Sequence, residues 1–138
     1  MKKTMIPLFF LLVLATTSYS QKVPYNVVFD VTSKDTLVHQ MVIRWINEIT
    51  KMDPTANIEV VFYAKSLDMI AKGRSTVASD VEKYASQKNI SFKVCEVAMK
   101  NNQVAKEDLL VGVQTVPDGI YEIITKQSMG WGYIKASR

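Results

Sequence analysis

The stretch that decides the fold is residues 25–52, YNVVFDVTSKDTLVHQMVIRWINEITKM. Its first part, Tyr25 to Val31, is a continuous apolar run rich in β-branched residues, which is typical of a strand buried on both faces. After a polar break, apolar residues recur at three- and four-residue steps from Thr36 to Met52, and this spacing predicts a long amphipathic helix. The helix ends before Pro54 because proline cannot continue the hydrogen-bond ladder. The stretch therefore predicts a βα unit.

Strand-like and helix-like segments alternate along the rest of the chain. Further strands are predicted within Asn57 to Ala64, Ile90 to Cys95, Leu109 to Val116 and Trp131 to Lys135. The segments between the strands are helix-like, beginning with a short helix from Ser66 to Lys72. The next helix is opened by Ser75 or by a capping box of Ser79 with Glu82, and a broken helix is predicted in Val97 to Asp108. The last helix has Pro117 at its first position and an apolar stripe of Ile120, Ile123 and Ile124. Short apolar strands separated by helices predict an α/β fold, a three-layer α/β/α sandwich with a mostly parallel five-stranded sheet.

The first twenty residues have the pattern of a secretory signal peptide. Lys2 and Lys3 form a positive start, an apolar stretch runs from Met5 to Ala15, and small residues precede Gln21. The apolar stretch is too short to span a bilayer comfortably, so stable membrane insertion after cleavage is not expected. We therefore predict a signal peptide over residues 1–20, a single domain over residues 21–138, and a periplasmic or secreted protein.

Composition excludes several classes of function. Seventeen basic residues are scattered among thirteen acidic ones, with no basic stripe, so nucleic acid is not an expected partner. With a single cysteine and a single histidine, His39, the chain lacks the ligand spacing of a zinc site. The turn after the first predicted strand, TSKDT, contains no glycine, which argues against a dinucleotide fold. No cofactor and no metal are therefore expected.

Cys95 is the strongest candidate for chemistry. Right-handed crossovers place every strand-to-helix loop at one edge of a parallel sheet, where ligands bind in open α/β folds. The residues predicted at this edge are Thr32 to Asp35, Lys65 and Ser66, Cys95 and Glu96, and Thr115 to Gly119. A thiol at a helix N-terminus shifts toward its nucleophilic thiolate. Cys95 is thus the candidate nucleophile. The alternative is a small apolar residue that only packs at the end of a strand.

Three side chains are candidates for shaping the environment of that thiol. The positive charge of Lys65 favours the thiolate, and Glu96 opposes it if its carboxylate points inward. His39 lies near the start of the first predicted helix, and it can pair with Cys95 only if the fold brings the two together.

The chain resembles the DsrE/DsrF-like family of small sulfur-handling proteins over nearly the whole predicted domain. The first βα unit and IEVVFYAKSLDMI are similar to the corresponding family segments. The most specific pieces are NISFKVCEVAM, which resembles the strand that ends in the functional cysteine, and the closing segment VQTVPDGIYEIITKQSMGWGYIK. The sequence departs from the pattern at Val97, where many members have asparagine.

The resemblance implies more than a fold. It implies assembly into trimers or hexamers, and it matches Cys95 to the cysteine that holds a persulfide in sulfur-relay members. The sequence therefore leads to an envelope or secreted sulfur carrier that works with a sulfur donor or acceptor protein. The alternative is a noncatalytic module for small-ligand binding or oligomeric assembly, in which Cys95 packs.

Overall fold

The computed structural model of the protein describes residues 23–138. The predicted signal peptide, residues 1–20, lies outside this range. Among residues 23–138, none of the helices has both the length and the apolar character that crossing a bilayer requires.

Residues 23–138 contain one five-stranded sheet in which every neighbouring pair of strands is parallel. The strands are β1 (Asn26–Val31), β2 (Asn57–Phe62), β3 (Ile90–Cys95), β4 (Gln114–Val116) and β5 (Gly132–Ala136). Their order across the sheet is β4-β3-β2-β1-β5. The predicted α/β class is confirmed. The fourth strand occupies only the last three residues of the segment in which the sequence predicted it.

Four α-helices connect the strands of the described chain. They are α1 (Thr36–Met52), α2 (Ala78–Ala85), α3 (Glu96–Asn101) and α4 (Gly119–Ser128), with short 3₁₀ segments at Ser66–Ile70 and Lys106–Asp108. Helix α1 has the predicted bounds. Its start is fixed by Asp35, whose carboxylate accepts a hydrogen bond of 2.9 Å from the backbone N–H of Leu37, since a cap satisfies one of the free N–H groups of the first turn.

The helices cover the two faces of the sheet unequally. Side chains of α1, α2 and α3 share one apolar core with alternate residues of the strands. Helix α4 packs on the opposite face, where Ile123 contacts Val28 and Val61. The handedness of the crossovers accounts for this division. From β1 to β4, each new strand is added on the same side of the one before it. Only the connection through α4 crosses back over the sheet, and it places β5 on the other side of β1.

The predicted capping box of Ser79 and Glu82 is wrong. Ser79 lies inside α2, whose first residue is Ala78 and whose N-terminus has no side-chain cap. The carboxylate of Glu82 instead accepts a hydrogen bond of 3.3 Å from the backbone N–H of Val111. The carboxylate of Glu82 therefore binds the distant backbone of Val111 instead of capping α2.

The start of α4 also differs from the prediction. Asp118 is the cap, and its carboxylate accepts a 2.9 Å hydrogen bond from the N–H of Tyr121, so Pro117 precedes the helix. The predicted isoleucine stripe does not face one core. Ile123 is buried against the sheet, whereas Ile120 and Ile124 are 55% and 58% exposed. Helix α4 consequently presents an apolar outer surface.

Candidate functional site

A crevice lies between the carboxyl ends of β3 and β4. The segments after these neighbouring strands diverge, since α3 packs on the face that holds α1 and α4 packs on the other. Ligands in open α/β sheets bind where connections diverge in this way. A cavity of about 320 Å³ occupies the crevice, lined by apolar residues that include Cys95, Val97, Ala98 and Ile120 and by polar residues that include Lys65, Asn102 and Asp118. The cavity is the candidate functional site.

Cys95 lies where the two connections diverge. It is the last residue of β3, pairs with Val116 of β4, and directly precedes α3. Its side chain is 6% exposed, yet the residue lines the cavity. The fold therefore holds the thiol firmly, and a ligand that entered the cavity would lie against it.

Helix α4 approaches Cys95 closely because its first residue is glycine. A Cβ atom at Gly119 would lie 3.1 Å from Cβ of Cys95, 3.3 Å from Cγ1 of Val61 and 3.6 Å from Cβ of Tyr63. Two of these atoms belong to β2 and β3 and the third follows β2 directly, so they cannot retreat without a shift of the sheet. The missing side chain thus allows the N-terminus of α4 to form one wall of the cavity.

Replacing Gly119 with alanine is expected to lower the free energy of unfolding by about 1–2 kcal/mol, because overpacking a filled site strains its neighbours. Urea denaturation measures this loss. Gly132→Ala is the matched control, since a Cβ there meets only the backbone oxygen of Asn26 at an ordinary 3.5 Å. A Gly119→Ala protein as stable as this control would show that the contact between α4 and Cys95 is looser than described.

A left-handed turn after β2 forms another part of the cavity lining. Ala64 has φ +57°, a conformation that costs a non-glycine residue about 1–2 kcal/mol. The side-chain amide of Asn102 donates hydrogen bonds to the carbonyl oxygens of Ala64, at 2.8 Å, and Ala98, at 2.7 Å. Asn102 therefore ties this turn to α3 and holds the two sides of the cavity at a fixed separation.

The structure brings Lys65 and Cys95 to the same cavity. Lys65 follows the left-handed turn and lines the cavity. Its ammonium lies 3.5 Å from Oδ1 of Asn102. An exposed ammonium at this position favours anionic groups in the cavity.

The other two thiol-environment candidates lie elsewhere. Glu96 is exposed as the first residue of α3 and does not line the cavity. His39 is buried in α1, where its Nε2 donates to the carbonyl oxygen of Ser33 at 2.9 Å. The structure therefore does not place His39 at the cavity with Cys95.

Tyr63 joins the cavity to a polar cluster at the ends of β1 and β5. Burial, reinforced by the nearby Asp30 carboxylate, raises the pKa of Tyr63 well above its usual value. Tyr133 donates a hydrogen bond of 2.6 Å to Asp30, and this bond raises the pKa of Tyr133 to about 12. Lys135 binds the other Asp30 oxygen at 3.0 Å. Both phenols therefore stay protonated near neutral pH, and Tyr63 brings no negative charge to the cavity.

Two of these residues were not found from the sequence. Tyr63 directly follows β2, but the predicted strand continued through it to Ala64. Asn102 lies in the polar stretch for which the sequence predicts only a broken helix. For Tyr63 the available signal was position, since a polar side chain one residue beyond a buried strand faces the ligand-binding edge of a parallel sheet. Asn102 follows α3 and has no such signal.

Comparison of the sequence with known protein families identifies relatives of this chain. The sequence profile of the DsrE/DsrF-like family matches residues 11–136. No curated protein matches the chain.

The solved structures that are similar to this chain include the following three. A protein of unknown function, MTH1491, from Methanobacterium thermoautotrophicum is 26% identical with a TM-score of 0.75, over 80% of this chain and 98% of that one. The ychN protein from E. coli is 10% identical with a TM-score of 0.68, over 82% and 99% of the two chains. A conserved protein of unknown function, BT1422, from Bacteroides thetaiotaomicron is 15% identical with a TM-score of 0.66, over 80% and 94%. The last two likenesses concern the fold alone.

Proposed function

The chain belongs to the DsrE/DsrF-like family, and from that membership we propose that it is a sulfur carrier that holds a persulfide on Cys95. Membership supports a role in sulfur handling in general. The single observation that supports the finer assignment is the position of Cys95, the sole cysteine of the sequence, against a cavity at the point where two connections diverge.

The proposed reaction transfers one sulfur atom without net oxidation. The Cys95 thiolate attacks the outer sulfur of a persulfide or polysulfide donor, so that a new S–S bond forms while the donor's S–S bond breaks and the donor leaves as a thiolate. The proton of Cys95 passes to solvent, and the departing thiolate takes one up. An acceptor thiolate then attacks the outer sulfur held on Cys95, and the Cys95 thiolate is the leaving group.

The lining of the cavity suits this chemistry. Apolar side chains of Val97, Ala98 and Ile120 surround the space beside Cys95, and they limit the access of water to a bound persulfide. The ammonium of Lys65 favours the anionic form of an outer sulfur. The cavity of about 320 Å³ is much larger than one sulfur atom, which leaves room for the reacting end of a donor or acceptor.

One observation favours the alternative, a noncatalytic binding or assembly module. Cys95 is nearly buried and packs close to Gly119, which is what a cysteine with a purely structural role also does. Under this alternative, Cys95→Ala lowers stability and leaves ligand binding unchanged.

Intact-mass spectrometry after exposure to polysulfide under native conditions tests the proposal. We expect the wild-type protein to gain the mass of sulfur, to lose it to an added thiol acceptor, and to show no gain as Cys95→Ser. Cys95→Ser is a close isostere, so its thermal unfolding serves as the control for folding. A folded wild-type protein that stays unmodified would contradict the sulfur-carrier proposal and leave the module as the function.

We also propose assembly into a trimer or hexamer through the outer surface of α4. Support comes from its exposed apolar side chains, Ile120, Tyr121 and Ile124, which would otherwise face water. Light scattering is expected to give an oligomer for the wild type and a smaller species for Ile124→Asp. A wild-type monomer at micromolar concentration would contradict this assembly.

Export to the periplasm or medium is proposed as well, on the pattern of residues 1–20. Mass analysis of protein recovered from outside the cytoplasm is expected to show a chain that begins at Gln21. A chain recovered there with Met1 and the whole apolar stretch retained would contradict cleavage.

A further inference from the structure

Four charged side chains meet between the sheet and α4, on the face opposite α1. This set, named here the α4 cluster, consists of Glu59 on β2, Lys93 on β3, and Glu122 and Lys126 on α4. Lys93 bridges the carboxylates, with its ammonium 2.9 Å from Oε2 of Glu59 and 2.8 Å from Oε1 of Glu122. Lys126 lies 3.1 Å and 3.8 Å from the same two atoms. The cluster therefore links the helix to the middle of the sheet.

The two oxygens of Glu59 have opposite surroundings. Oε2 accepts from Lys93, Lys126 and the hydroxyl of Ser91, at 3.2 Å. Oε1 is buried and has no hydrogen-bond partner among the described residues, and the side chain as a whole is only 2% exposed. A buried acceptor without a partner is costly, most of all when it carries charge. A proton on Oε1 would remove the charged part of that cost.

We propose that the α4 cluster binds one proton on Oε1 of Glu59, and that this proton governs how tightly α4 packs against the sheet. The proton comes from solvent and returns to it as the pH rises. The inference does not depend on the reactivity of Cys95.

The electrostatics of the cluster agree with a shared proton. Burial, followed by the hydrogen bond with Glu122, raises the pKa of Glu59 despite the two lysines. Burial also opposes ionisation of Glu122, but hydrogen bonds with Glu59 and Lys93 outweigh it and lower the pKa of Glu122. The pKa values of two carboxyl groups in one site shift apart in this manner, because the charge of the first group to ionise makes ionisation of the second harder.

The charged and titratable groups near Glu59 come from the neighbouring strands as well as from α4. On the same face of the sheet, β1 contributes Asp30, whose two carboxylate oxygens accept hydrogen bonds from Tyr133 and Lys135 of β5. The pKa of Lys93 is raised, since hydrogen bonds to Glu122 and Glu59 outweigh the burial of its ammonium. No further cation among the residues described binds Oε1 of Glu59. These neighbours leave the proton as the missing partner.

The sign of the pH effect follows from these directions. The pKa of Glu59 is raised in the folded state, so its contribution to stability is complete below the ordinary value of 4.5 and is lost as the pH rises through the folded-state value. The pKa of Glu122 is lowered, so its contribution is present above 4.5 and is lost as the pH falls through its folded-state value. Loss of the proton leaves a charged, unpartnered oxygen under α4 and loosens the helix that begins beside Cys95.

Carbon-13 NMR of carboxyl-labelled glutamate tests the proposal on the intact wild-type protein. We expect one glutamate carboxyl carbon to titrate above the ordinary value of 4.5, later than the exposed glutamates as the pH rises, and Glu59→Gln to remove that signal. The backbone amides of Ile120 and Ile123 are expected to shift with the same midpoint. Glu48→Gln, an exposed site on α1, is the control and should leave the signal unchanged.

Two results would overturn the inference. The first is a Glu59 carboxyl that titrates at or below the ordinary value of 4.5, since Oε1 would then carry its charge without needing a proton. The second is a Glu59 carboxyl that titrates while the chemical shifts of the α4 amides stay constant, since the proton would then not affect the packing of the helix. Both results can be obtained from the wild-type protein, so the test survives if Glu59→Gln fails to fold.

Discussion

Replacing Lys93 with methionine, at a pH above the titration of Glu59 where both carboxylates of the α4 cluster are charged, is expected to lower the free energy of unfolding by about 3–5 kcal/mol. This is the usual cost of removing one partner from a buried ion pair. The Lys93 side chain is 19% exposed, and its ammonium contacts both Glu59 and Glu122. Methionine keeps the length and apolar character of the stem but removes the charge. The two carboxylates beneath α4 would then share a single cation, Lys126.

Urea denaturation of wild type and variant measures this effect, with Lys51→Met, at an exposed position of α1, as the matched control. Adding Glu59→Gln to Lys93→Met is expected to restore a large part of the loss, because the second change removes the charge that the first leaves uncompensated. A Lys93→Met protein within about 1 kcal/mol of the control would mean that the α4 cluster behaves like a surface ion pair.

Replacing Phe92 with alanine is expected to cost about 3–5 kcal/mol, because it opens a cavity in the core between the sheet and the helices of the α1 face. Phe92 is fully buried and stacks on Phe62, with ring centroids 6.1 Å apart and planes 15° from parallel. Both rings belong to the central strands β2 and β3. Since Cys95 ends the same strand as Phe92, the floor of the candidate site depends on this packing.

Thermal or urea unfolding measures the cost, and Val111→Ala, at an exposed loop position, serves as the truncation control. Phe92→Leu keeps the site apolar and fills most of it, so its cost should be well below that of alanine. Equal stability of Phe92→Ala and the exposed-site control would contradict the described packing of β3.

The sequence predicted the elements that are set by local periodicity. Helix α1 has the expected bounds, because its apolar spacing and its polar flanks agree. β3 also has its expected bounds, Ile90–Cys95. The starts of α2 and α4 were predicted less well. Glu82 binds the distant backbone of Val111, and the cap of α4 is Asp118, one residue after the proline that was predicted to open the helix.

The α4 cluster could not be derived from periodicity. Glu59 and Lys93 each interrupt an otherwise apolar strand, and that interruption was the only local signal that a charge lies inside the domain. Their pairing depends on strand order, which places β2 beside β3, and on the reversed crossover that puts α4 over both. These are long-range properties of the fold. For the same reason, the contact of Gly119 with Cys95 emerged only from the structure.

The central claim is that Cys95 can be reached through the cavity while the protein stays folded. The most direct test is the rate at which a small uncharged alkylating reagent modifies Cys95 at increasing urea concentrations below the unfolding transition. Reaction through an open cavity predicts a rate that does not change with urea, because no protein surface must be exposed first. A rate that rises with urea as steeply as global unfolding would show that Cys95 reacts only in the unfolded chain, and would contradict the account.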